Sequence, residues 1–262
     1  MKIGLIGYGA IGQEIARVLC SLGEEDRLAA VLVREGRSAP RAVHDVAALV
    51  AKKPDIVLEC AGHQAVMQYV PALLSSGINV MISSVGGLAD TSTSELLMDA
   101  SERGGAQLLI PAGAVAGLDG LAAARFGGLK NVTYTSLKPP HAWLGTRAES
   151  MIDLAHTSEE EVFFEGNARD AALQFPKNAN VAVAVALAGL GLELTRVRLV
   201  SSRAVTDPLG IIYAEGDFGH FRFEIFGRAA PDNPKTSLLT AYSLLQCARL
   251  GVGLPVSELM AN

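Results

Sequence analysis

The chain has 262 residues, 50% of them hydrophobic, 19% charged and only 5% aromatic. An apolar share this high buries enough surface to offset chain entropy, which excludes a disordered protein. With 22 basic and 27 acidic residues, a formal charge of -5 and no basic block, the chain offers no electrostatic footprint for nucleic acid or an anionic membrane.

The first segment, Lys2–Ile6, is an apolar run that reads as a strand rather than a signal peptide. No later run approaches the ~20 apolar residues of a membrane span. The expectation is a soluble, cytoplasmic protein. Glycines follow, and Gln13–Leu22 carries Ile15, Val18, Leu19 and Leu22 at helical spacing. Leu28–Val33 is a second strand, Val43–Lys52 a helix, Ile56–Glu59 a third strand and Gln64–Ser76 a helix stopped by Gly77. Asn79–Ser83 and Gln107–Ile110 are further strands, with the helical Thr93–Arg103 between them. Such alternation means a parallel sheet covered by helices on both faces.

Beyond Pro111 the texture changes. Asn131–Lys138 and Thr195–Val200 read as strands, and Ile211–Glu215 with His220–Phe226 as a hairpin around Gly216–Gly219. Ala168–Gln174 and Val181–Leu190 are helical, and the last long apolar helix spans Ser237–Leu250. The fold class is therefore α/β, in two lobes. An N-terminal domain over 1–112, whose first strand runs into Gly7-Tyr8-Gly9-Ala10-Ile11-Gly12 and so reads as a dinucleotide-binding (Rossmann) domain, is completed by the C-terminal helix over 237–262. A second α/β (α+β) domain covers 113–236. The three cysteines, Cys20, Cys60 and Cys247, are odd in number and far apart, so they are read as small buried hydrophobes and not as a disulfide framework.

Gly7-Tyr8-Gly9-Ala10-Ile11-Gly12 is a G-x-G-x-x-G placed directly after a strand and opening a helix, the context a dinucleotide site requires. Gly7 makes the tight turn, Gly9 lets backbone approach a pyrophosphate, and Gly12 lets helix and strand pack closely. The N–H groups opened by Ala10 and Ile11 at the helix start face the phosphates. The second strand runs into Arg34-Glu35-Gly36-Arg37, where NAD-selective sites place an acid. The Arg34 guanidinium suits a 2′-phosphate and Glu35 a free ribose, so NADP is expected, with NAD also open. His63 follows Ala61 and Gly62 at a strand's carboxyl end, where open α/β sheets bind ligands.

The glycine loop, Glu59-Cys60-Ala61-Gly62-His63, Ser83–Asp90, Pro111–Asp119, Lys138-Pro139-Pro140, Phe175–Asn180 and Asn233–Ser237 together resemble the L-aspartate dehydrogenase family, in order and over essentially the whole chain. That resemblance implies a homodimeric, NAD(P)-dependent oxidoreductase. It would interconvert L-aspartate with iminosuccinate, or oxaloacetate plus ammonia, and so could feed NAD biosynthesis. The second domain would then bind substrate and dimerise. By motif, Ala114 and Asn180 match the family's nicotinamide contacts, and Ala61 and Gly62 join the cofactor set. Lys138, Asn178, Lys235 and Thr236 fall in family-like loops suited to a dicarboxylate, as does Lys177. The alternative for Lys235 and Thr236 is capping of the last helix.

One motif departs from the pattern. Where the family reads Asn-x-His, with the histidine regarded as its acid/base, the gapless segment here reads Pro208-Leu209-Gly210. A positioned acid/base contributes ~10²–10⁴-fold, so two further readings stand open. One is an NADP-dependent reductase of a different imine or carbonyl compound, the other a catalytically silent NADP(H) binder. His141, after the rigid Pro139-Pro140, is the candidate replacement proton donor. His220 reads as an outward-facing strand residue. No metal-ligand spacing occurs.

Overall fold

The computed structural model describes residues 1–156, 159–176, 178–230 and 233–260, with side chains of 229, 230 and 233–236 left aside. The chain divides into two compact units, Met1–Gly113 with Thr240–Asn262, and Ala114–Leu239.

The first unit is a seven-stranded sheet. In chain order it contains β1 (Ile3–Ile6), α1 (Ala10–Ser21), β2 (Leu28–Leu32), β3 (Ala42–Val43), α2 (Val46–Ala51) and β4 (Ile56–Glu59). Next come α3 (His63–Ser75), β5 (Asn79–Ile82), α4 (Thr91–Gly104) and β6 (Leu108–Ile110). All these strands are parallel and nearly all their residues buried, because helices on both faces leave no solvent side for polar alternation. The spatial order runs β3-β2-β1-β4-β5-β6, so the chain reverses direction across the sheet between β1 and β4. Ligands of open α/β sheets bind at such a switch point, beyond the strands' carboxyl ends.

Local chemistry sets the helix limits. Asp45 caps α2 by accepting from the Ala48 N–H, Asp90 caps α4 by accepting from Thr93, and Gly105, at φ 61°, ends α4 in the left-handed conformation. Two expectations shift here. The first helix starts at Ala10, inside the glycine loop, and not at Gln13. The stretch expected as one helix from Val43 opens with β3, since Asp45 can start the helix only after itself.

The second unit holds α5 (Leu118–Ala124), β7 (Leu129–Lys138), β8 (Glu160–Asn167), α6 (Ala168–Gln174), α7 (Asn180–Ala188) and α8 (Gly191–Leu194). After these come β9 (Arg196–Ser202), β10 (Leu209–Gly216), β11 (Gly219–Phe226), β12 (Ala229–Ala230) and β13 (Asn233–Ser237). Five of these strands form a mixed sheet ordered β11-β10-β7-β9-β8, parallel only between β7 and β9. Register places Val132, Tyr134 and Ser136 of β7 on one face with Val197 and Leu199 of β9 and Gly210, Ile212 and Ala214 of β10. The apolar α7, buried along almost its whole length, packs against β7.

The chain ends with α9 (Leu238–Leu250), β14 (Leu254–Pro255) and α10 (Val256–Met260). Ala241, Leu244, Leu245 and Ala248 join the core formed by β1, β2 and α1, while β14 adds an antiparallel edge to β6. The expected helix Ser237–Leu250 is α9, which starts one residue later and stops at Gly251, whose φ of 64° suits a turn. The remainder of the 237–262 segment holds β14 and α10 rather than more of that helix. Asn233–Ser237, expected to open that helix, instead pairs as a strand with β12. The Ser237 hydroxyl does cap locally, accepting from the Leu239 N–H at 3.3 Å.

Candidate active site

The glycine loop follows β1 at the switch point, and its three glycines meet different surroundings. Gly7 has φ +90°, and a Cβ there would lie 2.7 Å from the Ala61 Cβ. A Cβ on Gly12 would lie 2.5 Å from the Gly7 carbonyl oxygen, the close helix–strand approach that demands glycine. Around Gly9 nothing lies within 4 Å of where a Cβ would stand. The protein leaves that space unfilled beside the N-terminus of α1, where Ala10 and Ile11 open the helix. Unpaired N–H groups and the helix dipole make it a fit for a pyrophosphate. Arg34 and Glu35 are both exposed just beyond β2.

Across the switch point, β4 ends in a carboxylate. Glu59 is fully buried, and its Oε1 accepts from the Ala61 N–H at 2.6 Å, the Gly62 N–H at 2.7 Å and the Ser84 hydroxyl at 3.1 Å. Its Oε2 accepts from the Ser84 N–H at 3.0 Å. Burial pushes its carboxyl above the usual range while these donors pull it back. In the sequence Glu59 stands out only within the family-like segment Glu59–His63. The signal was present as a charged residue closing an otherwise apolar strand. The adjacent Cys60 thiol is pushed well up by burial and by the Glu59 charge, so it is no ready nucleophile. His63, the first residue of α3, lies with its ring 3.9 Å from where a Cβ on Gly87 would stand. Cys20, expected to be buried, is exposed: Ile15 and Leu19 take the buried stripe of α1 and Cys20 falls beside it.

In the second unit a polar group gathers at the carboxyl end of β7. Lys138 Nζ donates to Asn178 Oδ1 at 2.9 Å and stands 4.9 Å from the centre of the Trp143 ring. Trp143 is fully buried, donates through Nε1 to the Val200 carbonyl at 3.1 Å and meets Phe163 edge-on at 4.7 Å. Phe163 in turn packs on Phe175, so an aromatic cluster fixes the surface under the lysine. Asn178 is 8% exposed, and its amide Nδ2 has no hydrogen-bond partner among the described residues. A buried donor without a partner is costly, and beside a lysine ammonium it fits a carboxylate or carbonyl oxygen.

Gly210 sits on β10 opposite Ser136. A Cβ there would meet Val115 Cγ1 at 3.4 Å and the Tyr134 hydroxyl at 3.5 Å, ordinary contact distances. Tyr134 is buried, and burial pushes its phenol up to about 12. His141 is exposed on the short turn Pro140–Trp143. His220 is also exposed, on β11, opposite Glu215 of β10 and with its ring 6.2 Å from that of Tyr213. Ala114 is half-buried, and half-buried Asn180 opens α7. Lys177 lies outside the described residues, and of Lys235 and Thr236 only the backbone, in β13, is described. Among the described residues no group of three or more His, Cys, Asp or Glu could hold a metal ion, and no helix is long and apolar enough to cross a membrane.

Comparison with known proteins follows the same division. Residues 7–111 match the NAD binding domain described for homoserine dehydrogenase, and residues 119–250 match the family described as aspartate dehydrogenase, C-terminal. The chain is 43% identical over 258 residues to an L-aspartate dehydrogenase of Serratia proteamaculans, covering 95% of this chain and 96% of that protein. An L-aspartate dehydrogenase of Pseudomonas aeruginosa is 40% identical over 261 residues, covering 94% and 96%. The crystal structure of aspartate dehydrogenase from Thermotoga maritima superposes with a TM-score of 0.77 at 28% identity, over 95% of this chain and 96% of that one.

Proposed function

The chain belongs to the L-aspartate dehydrogenase family, and from that premise we propose the roles its residues play in an NAD(P)-dependent dehydrogenase acting on the amino group of aspartate. Gly7, Gly9, Ala10, Ile11 and Gly12 hold the pyrophosphate, and Arg34 reads the 2′ position, with Glu35 serving a free ribose. Ala61 and Gly62 line the cofactor loop, and Ala114 and Asn180 are assigned to the nicotinamide by the family motif. When bound, the cofactor exchanges a hydride with the amino acid's α-carbon. Lys138 and Asn178 bind a carboxylate of the dicarboxylic substrate, with Lys235 and Thr236 as further contacts. The Asn178 Nδ2, without a hydrogen-bond partner among the described residues and beside the Lys138 ammonium, carries this reading: a buried amide donor next to a positive charge suits an anionic oxygen.

The proton side of the reaction distinguishes this chain. Forming the imine from ammonia, or hydrolysing it, moves protons at the substrate nitrogen and at water. Gly210 offers no group where the family places its histidine, so His141 or water carries the proton. Since the His141 ring is exposed, His141→Gln is expected to leave melting unchanged and lower kcat by about tenfold or more if the imidazole is the carrier. An unchanged kcat assigns the step to water. The enzyme works in this reading as a cytoplasmic homodimer, testable by sedimentation. The deciding assay is oxidation of NADPH and NADH by oxaloacetate with and without ammonia. Ammonia-dependent oxidation is expected, and absence of any oxidation in protein that binds NADPH overturns the assignment.

A further inference from the structure

Glu59 is a carboxylate that the proposed chemistry does not use, in a place where an apolar side chain would seal the sheet at lower desolvation cost. Its four bonds all run to loops that follow β4 and β5, none to the glycine loop after β1. Those loops lie on the side of β1 away from β2. In a doubly wound sheet the residue that reads the ribose near the adenine follows β2, so the adenosine half lies there. The other half of the dinucleotide crosses the switch point towards β4 and β5.

We propose that Glu59 is a positioning residue for the nicotinamide half of the cofactor. It turns the Ala61 and Gly62 N–H groups inward and pins Ser84, and so fixes the floor on which that half rests without touching it. The tolerance is small: Ala61 stands against Gly7 so closely that a Cβ on Gly7 would lie 2.7 Å from the Ala61 Cβ. Letting the Ala61 loop relax therefore moves one wall of the crevice relative to the other. The proposal rests on the dinucleotide-binding reading of the first unit and extends it to a residue outside the glycine fingerprint.

Glu59→Gln keeps the shape and breaks one tie specifically. With its carbonyl turned to Ala61 and Gly62, the amide nitrogen faces the Ser84 N–H, donor against donor. Ser84→Ala removes only the hydroxyl bond and is the milder variant. The test titrates the full-length protein without cofactor with NADPH and NADH, and separately with 2′,5′-ADP and 5′-AMP, which carry the adenosine half alone. Glu59→Gln is expected to raise the dinucleotide Kd about tenfold, the scale of one bond to a charged group, and to leave the adenosine-half probes within about twofold. Ser84→Ala shows the same asymmetry at about threefold. Equal weakening of both probe classes, or dinucleotide binding unchanged in a folded variant, overturns the proposal. If Glu59→Gln does not fold, Ser84→Ala decides by the same criterion. Wild-type protein that binds neither NADPH nor NADH overturns the dinucleotide reading itself, and the proposal with it.

Discussion

Gly12 and Gly210 both lie in regular secondary structure, one in each unit, and their surroundings are opposite. Gly12 has the Gly7 carbonyl 2.5 Å from where its Cβ would be, so nothing larger fits. Gly210 has no left-handed φ and only ordinary contacts, at 3.4 Å and beyond, around its Cβ position. Glycine is a mechanical requirement in the first case. In the second no contact or backbone angle requires it. The first unit thus fixes its glycine by backbone contact, while the second holds a glycine where its surroundings would admit a side chain.

The sharpest way to break this contrast is Gly12→Ala. Overpacking against backbone is expected to destabilise the protein by roughly 1–3 kcal/mol and to abolish NADPH binding, read by melting and titration. Lys138→Met removes a charge-assisted donor and should lower kcat/KM for oxaloacetate by about 10–10²-fold, with the NADPH Kd unchanged. Gly9→Ala projects a methyl into space no protein atom fills. It should melt like wild type yet bind NADPH tens-fold more weakly, roughly the 1–3 kcal/mol a single misplaced carbon is worth in a site.

If position 210 is where the family's histidine acts, Gly210→His is expected to fold and to raise kcat by roughly tenfold, short of the ~10²–10⁴ of a fully positioned acid/base. The smallest effect concerns stability against pH. Glu14 is lowered from 4.5 to about 2, chiefly by its hydrogen bond from Arg17 and also by one from the Tyr242 hydroxyl on α9. A depressed native pKa gives stability that is present above 4.5 and lost as pH falls toward 2. Glu14→Gln should therefore lower the melting temperature slightly at neutral pH, where that stability is present, and flatten its decline as pH falls from 4.5 toward 2.

The same contrast explains what the sequence discloses. The first unit is built from consecutive strand–helix–strand pieces, each buried on both faces, so apolar runs and the glycine loop announce it locally. The second unit pairs strands far apart in the chain. Its edge strand β8 begins Glu160-Glu161 and draws no strand expectation, because its partner β9 lies far along the chain. Asn233–Ser237 looks like a helix start because Ser237 does cap, yet the segment first pairs with β12. Glu59 depends on Ser84, 25 residues away, and the free amide of Asn178 on Lys138, 40 residues away. Neither relation leaves a local trace in the sequence.

One experiment tests the central claim, that this fold delivers hydride to an imine of a dicarboxylic acid. Oxaloacetate, ammonia and NADPH deuterated at the transferable position of the nicotinamide ring are incubated with the enzyme, and the products are resolved by mass spectrometry. The account predicts aspartate carrying deuterium at its α-carbon, formed only when ammonia is present. Deuterated malate instead, formed with or without ammonia, would show that the site reduces the carbonyl and would contradict the assignment.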